Sequence, residues 1–369
     1  MTVTYLIGNG FDLGIGLKTG FKDFLNYYLT VESKDEDIID FKETIKQDSI
    51  DLWADLELKF GEYSKTFEED ELPSYINIHN DLLKELNNYL KIENNKLAES
   101  IAANDIQKIK NWTMLSNLEA IGLNRVEREK INKTDYFNDK VDVIYRFLTF
   151  NYTTTLETIL KKLSESSTFN SSSDIVLKSH KYTDRGNTMQ AVRSIKDIIH
   201  IHGELDKYII MGVNDESQLL FSGVLPNEII KRIVKPTNNE RIGERIDEIG
   251  TTYIEKSNII CIYGMAIGDT DTIWWERIGK WLSGDTAKYL IIFKYDEHLL
   301  NSSVDTFNDM LQAKEDCRDY FLKIAKVPEE KRSSVEKKVI VIINSSFMQI
   351  KLIKDKKEDE NKSKSEVTV

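Results

Sequence analysis

The segment YLIGNGFDLGIGLKTGF, residues 5–21, places five glycines in seventeen residues, directly after an apolar run. Glycine inside a regular element costs roughly 0.5–1 kcal/mol relative to alanine. A cluster of this kind therefore marks a sharp turn or a close approach of backbone to a ligand. Gly8 and Gly10 follow a predicted strand over 3–8, and a helix is predicted to begin near Phe11 or Asp12. In that setting glycines let backbone N–H groups, here those of Gly8, Asn9 and Gly10, reach a phosphate at a helix N-terminus. The spacing is Gly-Asn-Gly-x3-Gly-x-Gly, not Gly-x-Gly-x2-Gly, so a tight strand-to-helix turn without a ligand is an equal alternative. Asp12 sits badly beside a pyrophosphate, which its carboxylate repels, unless it meets a ribose hydroxyl or caps the helix.

Short apolar runs of the same kind recur at 143–150, 198–203, 208–212, 258–264, 289–295 and 338–344. Most are apolar at nearly every position, as strands covered on both faces are. Helical patterns follow two of them, TTTLETILKKL and DTDTIWWERIGKWL. Strands alternating with helices predict an α/β fold with a Rossmann-like, mostly parallel sheet. Residues 22–140 are polar and helix-rich, with Trp53, Leu56 and Phe60 on one helical face. The expected division is a core of 1–30 and 141–345, a large helical insertion over 31–140, and a charged disordered tail over 346–369. The stretch 354–366 is almost wholly charged or polar. Residues 164–174 form a serine-rich loop, and no internal repeat is present.

The 369 residues are 40% hydrophobic and 30% charged, with a net charge of −12. That balance argues against a general nucleic-acid footprint, which requires a basic face. Two cysteines, Cys261 and Cys317, build neither a disulfide framework nor a four-cysteine zinc site. The N-terminus lacks a charged region followed by a long apolar one, and no run reaches the ~18 apolar residues of a membrane span. A cytoplasmic protein with no membrane contact is expected.

Three further strand ends carry polar residues. In TFNYTTTLE (149–157), Asn151 stands at a strand's carboxyl end, where open parallel sheets bind ligands; as an isolated feature it reads as a turn residue. In HIHGEL (200–205), His200 and His202 alternate along a strand, and His202 precedes Gly203. An imidazole there suits proton transfer near neutral pH, against the plainer reading of a satisfied histidine. In IYGMAIGDTDTIWW (262–275), Gly264 opens a loop, and Asp269 and Asp271 precede a helix. Those acids suit a ribose or a cation, although acids at such positions more often cap. Glu57, in DLWADLE, reads as an exposed helix residue slightly better than as a functional acid.

The segments LIGNGFDLGIGLKTGFKDFL, DLWADLE, TFNYTTTLE, IHGEL and IYGMAIGDTD resemble, in order and spacing, the bacteriophage abortive infection AbiH family over about residues 3–295. The same order is similar to the wider sirtuin-like NAD-binding fold. Gly8-Asn9-Gly10 and Gly16-Leu17-Lys18 fall in register with its glycine loop, Asn151 with its strand-end asparagine, and His202-Gly203 with its His-Gly pair. Gly264 onward matches its adenosine-holding loop. Asp12 takes the place of a phosphate-loop serine, and the zinc cysteines of sirtuin deacylases are absent.

The resemblance implies an antiphage defence protein that hydrolyses NAD to nicotinamide and ADP-ribose once triggered, with no cofactor or metal required. It implies Asn151 and His202 as catalytic residues, and Gly8, Asn9, Gly10, Asp12, Gly203, Gly264, Asp269 and Asp271 around the nucleotide. A phage-derived trigger and a homo-oligomer are the expected partners. Two other readings stay open: a non-catalytic nucleotide-binding sensor, and a metal-dependent nuclease effector using Asp269, Asp271, Glu204 and the histidines.

Overall fold

A computed structural model describes residues 1–97, 103–165, 174–284, 287–300 and 306–352. Most of the serine-rich loop and the whole charged stretch 354–366 lie outside these ranges.

Strand β1 (Thr2–Ile7) leads into the short helix α1 (Gly10–Ile15). The described chain then stays helical through α2 (Phe21–Tyr28), α3 (Glu36–Asp48), α4 (Leu56–Tyr63), α5 (Leu72–Asn95), α6 (Ala103–Thr113) and α7 (Arg125–Asn132). Next come β2 (Val143–Thr149), α8 (Thr155–Glu165), β3 (Ile175–Asp184) and β4 (Asn187–His200). The two-residue strands β5 (Gly203–Glu204) and β6 (Tyr208–Ile209) precede α9 (Asn227–Ile233), α10 (Lys235–Ile242) and α11 (Ile246–Lys256). The remainder is β7 (Ile259–Tyr263), α12 (Thr272–Leu282), β8 (Tyr289–Lys294), α13 (Thr306–Ile324), α14 (Glu329–Glu336) and β9 (Val339–Ile343).

Seven strands form one sheet in the order β3-β4-β2-β1-β7-β8-β9. All neighbours are parallel except β3 and β4. The chain moves outward from β1 to β2 and β4, then crosses back to place β7 on the other side of β1. A crevice at the carboxyl ends of β1 and β7 is the outcome of that reversal.

Strand periodicity divides the core. Tyr5, Phe147 and Cys261 lie in register and belong to one buried cluster. Leu6, Leu148 and Ile262, one residue further on, belong to another. Successive side chains point to opposite faces, so runs that are apolar throughout need helices on both sides. Trp274, Trp275 and Ile278 of α12 cover the second face together with Phe321 of α13.

The helical stretch packs in two places. Helices α2 to α5, with Leu56 and Phe60 of α4, and Trp53 of the turn between α3 and α4 share a separate core with Met211, Val213 and Ile233. Leu115, Leu118, Ile131 and Tyr136 instead cover the first face of the sheet. The chain beyond β9 stays packed for longer than its charge suggests: Phe347, Met348, Ile350 and Leu352 join that same face, and the Leu352 N–H donates to the Ile15 carbonyl at 2.9 Å.

Two strand expectations are corrected. The run 208–212 adds no strand to the main sheet; only Tyr208 and Ile209 pair, with Gly203 and Glu204. The run 198–203 is the end of a much longer strand, because β4 extends back to Asn187 as half of an exposed hairpin with β3.

Candidate functional site

The carboxyl ends of β1, β2, β4 and β7 converge on one cavity of about 470 Å³. Gly8, Asn9, Asp12, Asn151, His202, Gly264 and Asp271 all line it, and Phe21, Glu57 and Leu86 of the helical layer close the opposite side. Thus residues read separately at four strand ends meet in one place.

Within the glycine loop, Gly8 and Gly10 serve a backbone contact. The Gly8 N–H donates to the Tyr263 carbonyl at 2.9 Å, and the Gly10 N–H donates to the Gly264 carbonyl at 2.7 Å. A Cβ on Gly10 would stand 2.6 Å from the Cα of Gly264. Glycine is needed because two loops touch. The expectation that Gly8 and Gly10 present free N–H groups to a pyrophosphate is therefore corrected. Helix α1 is also only six residues long, too short for an appreciable dipole. The Asn9 side chain is engaged with Thr19: its Nδ2 donates to the carbonyl at 3.0 Å, and the threonine hydroxyl donates to its Oδ1 at 2.5 Å.

Asp12 is 1% exposed. The Thr153 hydroxyl donates to its Oδ2 at 2.5 Å, while its Oδ1 has no hydrogen-bond partner. Burial pushes its carboxyl up to about 6, against the polar side chains of Thr153, Thr155 and Asn151, which favour the charged form. Glu157 adds to the rise by like-charge repulsion. Asp12 does not cap its own helix; Asn9 occupies that position. Beside it, Asn151 is buried, and its Oδ1 is also unpartnered.

His200 holds the backbone at this point. Its Nδ1 lies 2.9 Å from the Asn151 carbonyl and its Nε2 lies 2.7 Å from Glu157 Oε1. Both partners are acceptors, an arrangement that favours the doubly protonated ring. Burial opposes that charge, but Glu157 and the Asn151 carbonyl together raise the pKa above the ordinary histidine value.

His202 lies beyond the end of β4 and has a different partner. Its Nε2 is 3.1 Å from Asp271 Oδ1, and its ring meets Phe150 edge to face at 5.2 Å. The same Asp271 oxygen accepts from Lys235 Nζ at 3.0 Å. Lys235 also donates to Glu57 Oε2 at 3.0 Å, and Glu57 Oε1 accepts from the Gly212 N–H at 3.2 Å. Burial alone would discharge Asp271, but Lys235 and His202 hold its carboxyl well below the usual carboxylate range. Lys235, only 3% exposed, is raised above the ordinary lysine value, because Asp271 and Glu57 outweigh its own burial.

A family model described as bacteriophage abortive infection AbiH matches residues 4–293, a span that contains every residue of the cavity wall. The chain belongs to the AbiH family. No curated protein matches the chain. Membership of AbiH indicates a part in abortive infection, the defence against bacteriophage that gives the family its name.

Within this AbiH chain three expected roles change. Asp269 is exposed and does not line the cavity, so an adenosine contact from inside the wall does not fit it. Gly203 is absent from the wall too; its φ of 83° and the Tyr208 carbonyl, 2.1 Å from where a Cβ would lie, explain the glycine as a hairpin requirement. Glu57 is buried and ion-paired, not an exposed helix residue. Lys235 was not singled out in the sequence; within VKPTNNE it sits just before a proline at a helix start, and nothing local distinguishes it. Nothing local distinguishes Thr153 either.

Among the described residues, no group of three or more His, Cys, Asp or Glu is arranged to hold a metal ion. Also among them, no helix is long and apolar enough to cross a membrane.

Proposed function

We propose that this AbiH protein hydrolyses NAD to nicotinamide and ADP-ribose when triggered during phage infection, in the cytoplasm, with a sirtuin-like arrangement of the site. The observation that carries the reading is Asp12: a buried carboxyl with a free oxygen, raised to about 6, beside Asn151 on a cavity that His202 and Asp271 share. Cleavage of the bond between ribose C1′ and the pyridinium nitrogen develops positive charge on the sugar, as in glycoside hydrolysis. A carboxylate held in a site of low dielectric stabilises that charge strongly.

The bonding electrons pass to the ring nitrogen, and nicotinamide leaves neutral, so the leaving group needs no acid. Water then bonds to C1′ and gives its proton to Asp12, whose pKa suits a base near neutral pH. Asn151 orients the water or a ribose hydroxyl. Asp271 takes up Nε2 of His202, so Nδ1 is the nitrogen left for a ribose hydroxyl. The helical layer over the cavity is the place for a phage-derived trigger or a second copy of the chain to act.

The test is NAD content, by mass spectrometry, in phage-infected cells expressing the wild-type protein, Asn151→Ala or His202→Ala. Nicotinamide and ADP-ribose rising only with the wild type is the expected result. Unchanged NAD while protection persists overturns the reading, and binding of ADP-ribose without turnover favours a sensor. Full activity in a folded His202→Ala protein removes that residue from the mechanism.

A further inference from the structure

The cavity wall is acidic. Asp12, Asp55, Glu57 and Asp271 line it, and His202 is the only basic side chain among the lining residues. Lys235 stands behind the wall and is shared between Glu57 and Asp271, so one ammonium faces two carboxylates there. Asp12 has no cation partner among the described residues, while Asp55 is exposed and accepts from the Leu58 N–H at the start of α4. The N–H groups of Gly8 and Gly10 are committed to carbonyls of the neighbouring loop. A phosphate inside this wall would meet the buried Asp12 carboxylate with no cation beside it, and like charges repel. A cation is drawn to the same wall, which also carries the side chains of Phe150 and Tyr152.

We infer that the cavity recognises the ribosyl-pyridinium end of its substrate and not the phosphates, so that the substrate class is a cationic N-riboside. This rests on the N-glycosidic reading above. The positive pyridinium enters the acidic wall, and the phosphates of a dinucleotide stay outside it. Phosphorylation then contributes little to recognition, and a bare riboside is a substrate in its own right. In either case the C1′–N bond breaks with its electron pair going to nitrogen, and the water oxygen replaces it. The released proton goes to the Asp12 carboxylate.

The experiment compares nicotinamide riboside with NAD as substrates of the full chain, isolated from infected cells, with nicotinamide release as the readout. The expected result is a kcat/KM for the riboside within about tenfold of that for NAD. In parallel, titration calorimetry with nicotinamide riboside and with inorganic pyrophosphate should show the riboside binding more tightly. Cleavage of NAD with the riboside about a thousandfold poorer, or tighter binding of pyrophosphate, overturns the inference and leaves N-glycosidic hydrolysis standing. Cleavage of neither compound overturns that hydrolysis, and the substrate class falls with it.

Discussion

Asp12 and Asp271 are aspartates on one cavity, and their surroundings drive them in opposite directions. Asp12 has only neutral polar neighbours, the Thr153 hydroxyl on one oxygen and Thr155 and Asn151 close by. Asp271 has an ammonium at 3.0 Å and an imidazole at 3.1 Å. Burial acts on both, so the difference lies in the counter-charge. With no cation beside it, Asp12 is raised to about 6 and is poised to exchange a proton near neutral pH. Asp271 is held charged at any physiological pH and serves as a fixed anchor for His202. Paired carboxyls pushed apart in this way are a common route to separate roles in one site.

The comparison is broken most directly at Asp12. Asp12→Asn should lower nicotinamide release by about 10²–10⁴-fold, the range for losing a general base. It should not lower stability at pH 7. Because the folded-state pKa is raised, to about 6, the stabilisation from Asp12 is complete below the ordinary carboxylate range. It is lost as pH rises toward 6, a loss of up to about 3 kcal/mol. Urea unfolding at low and neutral pH should therefore show the Asn variant gaining on the wild type as pH rises. A variant that falls behind as pH rises would show that Asp12 has a cation partner after all.

On the other side, Lys235→Met leaves Glu57 and Asp271 as buried charges without their cation. The expected loss is about 3–5 kcal/mol in unfolding free energy, and Lys235→Met with Glu57→Gln should recover part of it. An unchanged urea midpoint for the single variant would mean that the four-residue chain carries no structural weight. The smallest effect belongs to Asp269→Ala. That side chain is exposed and off the wall, so stability should stay within about 0.5 kcal/mol and nicotinamide release should not change. A large loss of release would return Asp269 to the site.

How far these features can be read in advance depends on whether the cause is local. Strands β1, β2, β7, β8 and β9 announce themselves as apolar runs because both of their faces are covered. The hairpin of β3 and β4 does not, since residues such as Lys181, Arg185 and Gln190 project into solvent on an exposed ribbon. Strand ends told where Asn151, His202 and Gly264 would gather, since a parallel sheet collects its carboxyl ends along one edge. The reason for Gly10 lay in Gly264, which is more than two hundred residues away. Lys235 and Glu57 owe their importance to a contact between two helical segments that no periodicity records. The tail was misjudged at its start because Phe347, Ile350 and Leu352 lie beside a much longer charged stretch.

The wall that brings Glu57, His202, Lys235 and Asp271 together also sets when the site exists. Strand β1 is made first, yet it sits at the middle of the sheet, and the acceptors for Gly8 and Gly10 arrive only with Tyr263 and Gly264. A ribosome that has released the first two hundred residues has delivered Asp12 and Asn151 but neither the loop that receives the glycines nor the anchor for His202. The nascent chain cannot complete the wall until Tyr263, Gly264 and Asp271 have emerged. A message cut short before Asp271 therefore encodes a chain in which this wall is never assembled.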